Sequence, residues 1–219
     1  MSITYTPIPE RVAALGTMTL AKGSHDSRDE GMCAMEAVAF LAGLGHTDAP
    51  ECASPVMRAY TIGLNDAWPD EQRQRLVPYL PRMVGTAGDS QDEARSYLAL
   101  DWLVRTYTPA WLDLAGLSDE ARALRNLPQI VDLAAAAAAG PVVREARAKA
   151  AAAGAAAGDA AWAAAGAAAR AAARAAAWAA AGDAAGDAAW DVLCPTVEAL
   201  QDSALDLLDA MIDPSAVTA

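Results

Sequence analysis

Apolar residues along this chain recur three and four apart, and no stretch alternates with period two over strand length, so the pattern predicts an all-α fold. Residues 1–23 read as an irregular lead-in. The run HDSRDEGMCAMEAVAFLAGLG then opens a short helix from Glu30 to Leu41, stopped by Gly43 and Gly45. Ser54-Pro55 is an N-cap and first-turn pair for a helix through Asp66. Pro69 starts another, ending near Pro78 and Pro81. Ser90 and Glu93 have capping-box spacing and lead into an apolar stripe at positions 97, 98, 100, 102, 103 and 107. TPAWLDLAGL reads as a separate short helix, Ser118 caps the next, Pro128 begins one that runs into the alanines, and Pro195-Thr196 starts the last.

Alanine changes this picture from about residue 133 onward. The change marks off an N-terminal helical part (1–132) from an Ala-rich part (133–219). No Ser- or Pro-rich linker separates them, so one compact multi-helix domain is expected. From Ala151 to Trp190, 27 of 40 residues are Ala. Apart from Asp159, Asp183 and Asp187, the exceptions fall every fourth position: Gly154, Gly158, Trp162, Gly166, Arg170, Arg174, Trp178, Gly182, Gly186 and Trp190. Alanine is the strongest helix former. A step of four overshoots one helical turn by about 40°, so the stripe winds around a straight helix. One rod over residues 141–192 would be roughly 78 Å long, against a radius of gyration of about 17 Å for a domain of this size. Two or three helices are therefore expected, broken at Gly158-Asp159 and Gly182-Asp183. Their small residues suit close packing of backbones.

Charge narrows the function. The formal net charge is −12 and the pI about 4.4. An acidic chain is repelled by phosphate backbones and anionic membranes, which argues against direct nucleic-acid binding. It is compatible with a small anionic ligand held in a local Arg pocket. The uncharged Ala-rich stretches Leu133–Val143 and Ala160–Ala169 are too short to span a bilayer. Three widely spaced cysteines (Cys33, Cys52, Cys194) suggest no disulfide framework, and together with a start that lacks signal-peptide features they imply a cytoplasmic protein.

Two constellations stand out as binding surfaces. Arg170 and Arg174 lie one turn apart, flanked by Trp162 and Trp178. Two guanidiniums can fork onto phosphate while an indole face stacks a base, and the plainer alternative is a solvated Arg pair with Trp178 stacked on Arg174. Those indoles can also reach a second subunit, which makes a homo-oligomer the expectation. On the last helix Glu198, Asp202, Asp206, Asp209 and Asp213 share one face, with Val197, Leu200, Ala204, Leu208, Met211 and Ile212 opposite. This acidic stripe is a solvated face or a surface for a basic partner.

Catalytic signals are sparse. Walker A, GxGxxG, HExxH, GxSxG and CxxC are all absent. Neither a cofactor nor a metal is called for. Cys33, His46 and Cys52, with Glu36 near by, have metal-ligating side chains at a spacing that matches no compact zinc pattern. Cys33 with His46 could form a nucleophile and base, and His25-Asp26 lacks the further His ligands of an HD-type phosphohydrolase. Glu36, among Met35, Ala37, Val38 and Phe40, needs a partner such as Arg58 or a backbone donor if buried.

GMCAMEAVAFLAG, DAPECASPVM, VPYLPRMVGT and LALDWLVRTYTPAWLDLAGL, followed by the Ala-rich tail, resemble an uncharacterised family of actinobacteria and bacteriophages over about residues 30–213. The resemblance carries over no catalytic residues. A phage setting implies action on host defence, by blocking a protein or trapping a nucleotide messenger. The leading expectation is thus a non-enzymatic binding protein, a counter-defence protein sequestering an anionic nucleotide-like signal through Arg170, Arg174, Trp162 and Trp178. The alternatives are an acidic protein–protein inhibitor or immunity-type module using Asp202, Asp206 and Asp209, and an enzyme using Glu36, Cys33 or His46.

Overall fold

The structure is a computed structural model that describes the backbone of residues 4–171 and 175–216 and the side chains of residues 4–155 and 193–215. Among the described residues there are helices and no strand, so the fold is all-α. The α-helices are α1 (Pro9–Ala14), α2 (Ala34–Leu41), α3 (Pro55–Ala67), α4 (Asp70–Arg73), α5 (Leu80–Met83), α6 (Asp92–Trp102), α7 (Thr108–Leu114), α8 (Ser118–Arg125), α9 (Leu133–Ala171) and α10 (Ala175–Ile212). No helix is long and apolar enough to cross a membrane among the described residues.

The chain divides into two units: Met1–Ala99 with Leu205–Ala219, and Leu100–Ala204. The change to alanine at residue 133 marks the start of α9, inside the second unit. The first unit is built on α2, whose Met35, Val38 and Leu41 are fully buried together with Met57, Leu76, Leu80 and Met83. α3 starts as its sequence dictates, with the Ser54 hydroxyl accepting from the amides of Val56 and Met57. Its other end is closed by buried Arg73, which donates to the carbonyls of Asn65 (2.6 Å) and Trp68 (2.8 Å).

Arg95 on α6 is fully buried and fully engaged. Its Nε donates to the Met211 carbonyl at 2.8 Å, and Nη1 and Nη2 grip Asp89 in a fork at 2.7 and 2.5 Å. Asp92 adds a further contact at 3.2 Å. Burial opposes a charged guanidinium, yet the two carboxylates outweigh it and hold the pKa above its ordinary value. The last part of α10 supplies Leu208 and Met211 to this core, while Asp206, Asp209 and Asp213 stay exposed, as the sequence periodicity predicts.

Several helix boundaries differ from expectation, each for a local reason. α2 begins at Ala34 rather than Glu30, because Cys33 and Glu36 form its capping box. Ser90 does not cap α6: its φ of +64° is left-handed rather than extended, and Asp89 instead accepts from the Gln91 amide. Ser118 is the first residue of α8 and not its cap. α9 starts at Leu133 instead of Pro128, with Asp132 accepting from the Ala135 amide at 2.7 Å. α10 runs through Pro195 rather than starting there. In the Ala-rich segment the described helices α9 and α10 continue through Gly158-Asp159 and Gly182-Asp183, where breaks were expected. High alanine content offsets the cost of an isolated glycine, about 1 kcal/mol.

Candidate functional site

Two places in the described structure gather chemically capable side chains. The first is the start of α2. Glu36 is 1% exposed, and its carboxylate accepts from the amides of His25 and Cys33 (both 2.7 Å) and pairs with His25 Nδ1 at 2.9 Å. His46 Nε2 donates to the His25 carbonyl at 2.9 Å and lies 3.5 Å from Glu36 Oε1. Cys33 completes a capping box, its Sγ accepting from the Glu36 amide at 3.4 Å. Gly31 closes the loop: its φ is +144°, and a Cβ there would sit 2.9 Å from the His25 ring.

The structure thus brings Glu36, Cys33, His46 and His25 together, and their environment describes a clasp. Burial alone would raise the Glu36 carboxyl, but the His25 and Cys33 amides and the His25 ring outweigh it and hold it below the usual carboxylate range. Burial pushes the Cys33 thiol up to about 11, the opposite of what an activated nucleophile needs. Among the described residues no group of three or more His, Cys, Asp or Glu side chains is placed to hold a metal ion. The partners of Glu36 are backbone amides and His25, not Arg58.

The second place is a cleft of about 650 Å³ within the second unit, lined by Arg105, Asp113, Arg125, Thr196 and Ser203 among others. Its geometry begins with Pro109. A proline in a helix cannot donate to the carbonyl four residues back and crowds it. Here the chain answers with a π-helical turn, Leu103–Tyr107, that joins α6 to α7 without a break. Both the amide and the hydroxyl of Thr108 donate to the Leu103 carbonyl, the latter at 2.7 Å. The extra residue shifts the helical register, so the expected apolar stripe does not hold: Leu103 and Tyr107 are 46% and 37% exposed, while Val104 is buried. π-turns of this kind recur at functional sites.

Arg105 and Thr106 reach the cleft wall from that turn. Asp101, one turn earlier, steadies Arg105 through Nη1 at 3.2 Å to both carboxylate oxygens and also accepts from the Ile130 amide. The Nε–H of Arg105 is buried with no partner among the described residues. Arg125, from α8, pairs with Asp113 at 2.7 Å, and both groups are about two-fifths exposed. Ser203 accepts from the Trp102 indole, which leaves its own proton for another acceptor. Leu114, Ala110 and Pro195 supply apolar wall. Such an arrangement of two guanidiniums, hydroxyls and apolar surface can hold a small anion with an apolar body.

Of the residues singled out in the sequence, Arg170, Arg174, Trp162 and Trp178 lie outside the residues whose side chains are described. Asp202, Asp206 and Asp209 are exposed on α10, and Asp209 is engaged by Arg82 of α5. Arg105 and Arg125 escaped notice because each reads as an ordinary solvated helix charge. The usable signal was Pro109, four residues after Arg105 in a helical pattern. No family model matches the chain, and neither a curated protein nor a solved structure matches it.

Proposed function

We propose that this chain is a non-enzymatic binding protein for a small anionic, nucleotide-like ligand, held in the cleft of the second unit by Arg105 and Arg125. The observation that carries the reading is the pair of arginines lining one cleft of an acidic protein, one of them with a buried Nε–H that has no partner among the described residues. A buried unpaired donor costs about 1–3 kcal/mol, which a turn of the Arg105 side chain toward an oxyanion in the cleft would recover. The Arg125–Asp113 pair is half-exposed, and such pairs contribute roughly 0–1 kcal/mol, so a phosphate can displace Asp113 readily. The cleft volume falls within the usual 300–1,000 Å³ range of ligand sites. In a phage setting a protein of this kind would sequester a nucleotide messenger in the host cytoplasm.

Thermal denaturation in the presence of cyclic nucleotides and ADP-ribose-type compounds tests the reading. At a hundredfold excess over Kd, linkage adds about 2.7 kcal/mol, roughly 5–10 °C in Tm for a chain of this size. A shift of that order with one class of ligand, lost when Arg105 and Arg125 are both alanine, is expected. A second reading, an acidic protein–protein inhibitor or immunity-type module, rests on the exposed carboxylates of Asp202 and Asp206. Capture of a basic partner that survives loss of both arginines would favour it.

A further inference from the structure

A smaller cavity in the second unit shares no lining residue with the cleft. It measures about 100 Å³ and lies among Val104 of the π-turn, Leu112 of α7, Leu124 of α8 and one face of α9: Val143, Ala146, Arg147 and Ala150. Its origin is visible in the sequence. Val143, Ala146, Arg147 and Ala150 fall at i, i+3, i+4 and i+7, and the two alanines leave a void opposite the two leucines where larger residues would have filled it. Thr108 also lines the cavity, but its hydroxyl is spent on the Leu103 carbonyl, so no uncommitted polar group of the wall faces inward except at the rim.

That exception is Arg147. It is exposed and, among the described residues, has no hydrogen bond or ion pair. Most arginines around it are paired: Arg105 with Asp101, Arg122 with Asp119 and Arg125 with Asp113. An apolar cavity with a single unspent guanidinium at its rim defines a ligand with one negative end and a compact apolar tail. Cavities of about 150 Å³ lined by aliphatic side chains stay dry and accept benzene. A cavity of about 100 Å³ suits something slimmer than a benzene ring, an unbranched or once-branched aliphatic chain.

We infer that this cavity is a second binding site, for a short-chain aliphatic carboxylate whose tail lies against Val104, Leu112 and Ala146 and whose carboxylate is held by Arg147. The inference does not depend on the larger cleft.

Amide-shift mapping of the full chain by NMR, with pentanoate as the probe, tests it. Pentanoate should move the amides of Val104, Leu112, Val143 and Ala146. Acetate, which lacks the tail, and 1-pentanol, which lacks the charge, should each bind at least tenfold more weakly. Arg147→Gln should weaken pentanoate at least tenfold, and Ala150→Leu, which fills the void, should abolish binding while keeping the helical signal. Should Ala150→Leu fail to fold, Arg147→Gln on the exposed face decides alone. No movement of the cavity amides at millimolar pentanoate, equal binding of 1-pentanol, or unchanged affinity in Arg147→Gln overturns the site. A pentanoate response lost in the Arg105→Ala, Arg125→Ala variant but kept in Arg147→Gln would place the carboxylate in the large cleft and overturn it as well.

Discussion

Cys33 stands where most helices carry Ser or Thr, and Glu36 closes the reciprocal half of the box. Cys33→Ser should therefore be neutral or slightly stabilising, whereas Cys33→Ala should cost about 1 kcal/mol in denaturant titration. In the folded protein at pH 8, Cys194, which is half-buried, should be alkylated well before Cys33, whose thiol is buried and raised to about 11. Glu36→Gln places an amide donor against the donors of His25 and Cys33 and should cost about 2–3 kcal/mol. Because the Glu36 carboxyl is held below its unfolded-state value, its contribution is complete above about pH 4.3 and is lost as pH falls through the lower native value. The difference in stability between wild type and Glu36→Gln should thus shrink on acidification. A difference constant from pH 7 to pH 3 would contradict the clasp.

Elements were more legible than their joints. Ser54-Pro55, the amphipathic stripe of α10 and the alanine tract fix their helices through cap chemistry, period and propensity, and all are helical where described. The π-turn was not legible, because Pro109 reads as a boundary between two helices when the chain instead absorbs it by adding a residue to one turn. Arg95 was hidden for a different reason. One of its partners is a carbonyl 116 residues away, and no local pattern reports that. Arg95→Ala should destabilise the protein by about 3–5 kcal/mol, since it strands Asp89, Asp92 and the Met211 carbonyl, and Arg95→Lys should recover only part, lacking the fork. Pro109→Ala restores a backbone donor and should let the π-turn relax to α-helix. Anion binding should then fall severalfold with stability unchanged or raised, because Arg105 rotates off the cleft wall. Chemical shifts of residues 103–107 measure the relaxation directly.

At the scale of the molecule, a net charge of −12 sets a repulsive background for any anion, so binding must rest on local guanidiniums. The Glu36 cluster, although it holds the most reactive residue types, uses them to fasten a loop to a helix start. The cleft holds its arginines half-committed, with Arg125 in a weak pair and Arg105 anchored, among the described residues, through Nη1. Binding there should also weaken with added salt, which screens the exposed guanidinium of Arg125. Isothermal titration of the full chain with the nucleotide that gives the largest thermal shift is the most direct test of the cleft. The account predicts saturable binding that drops at least tenfold in each of Arg105→Ala and Arg125→Ala and vanishes in the double variant. Wild-type affinity in the double variant, or no heat from any nucleotide in the series, would contradict it.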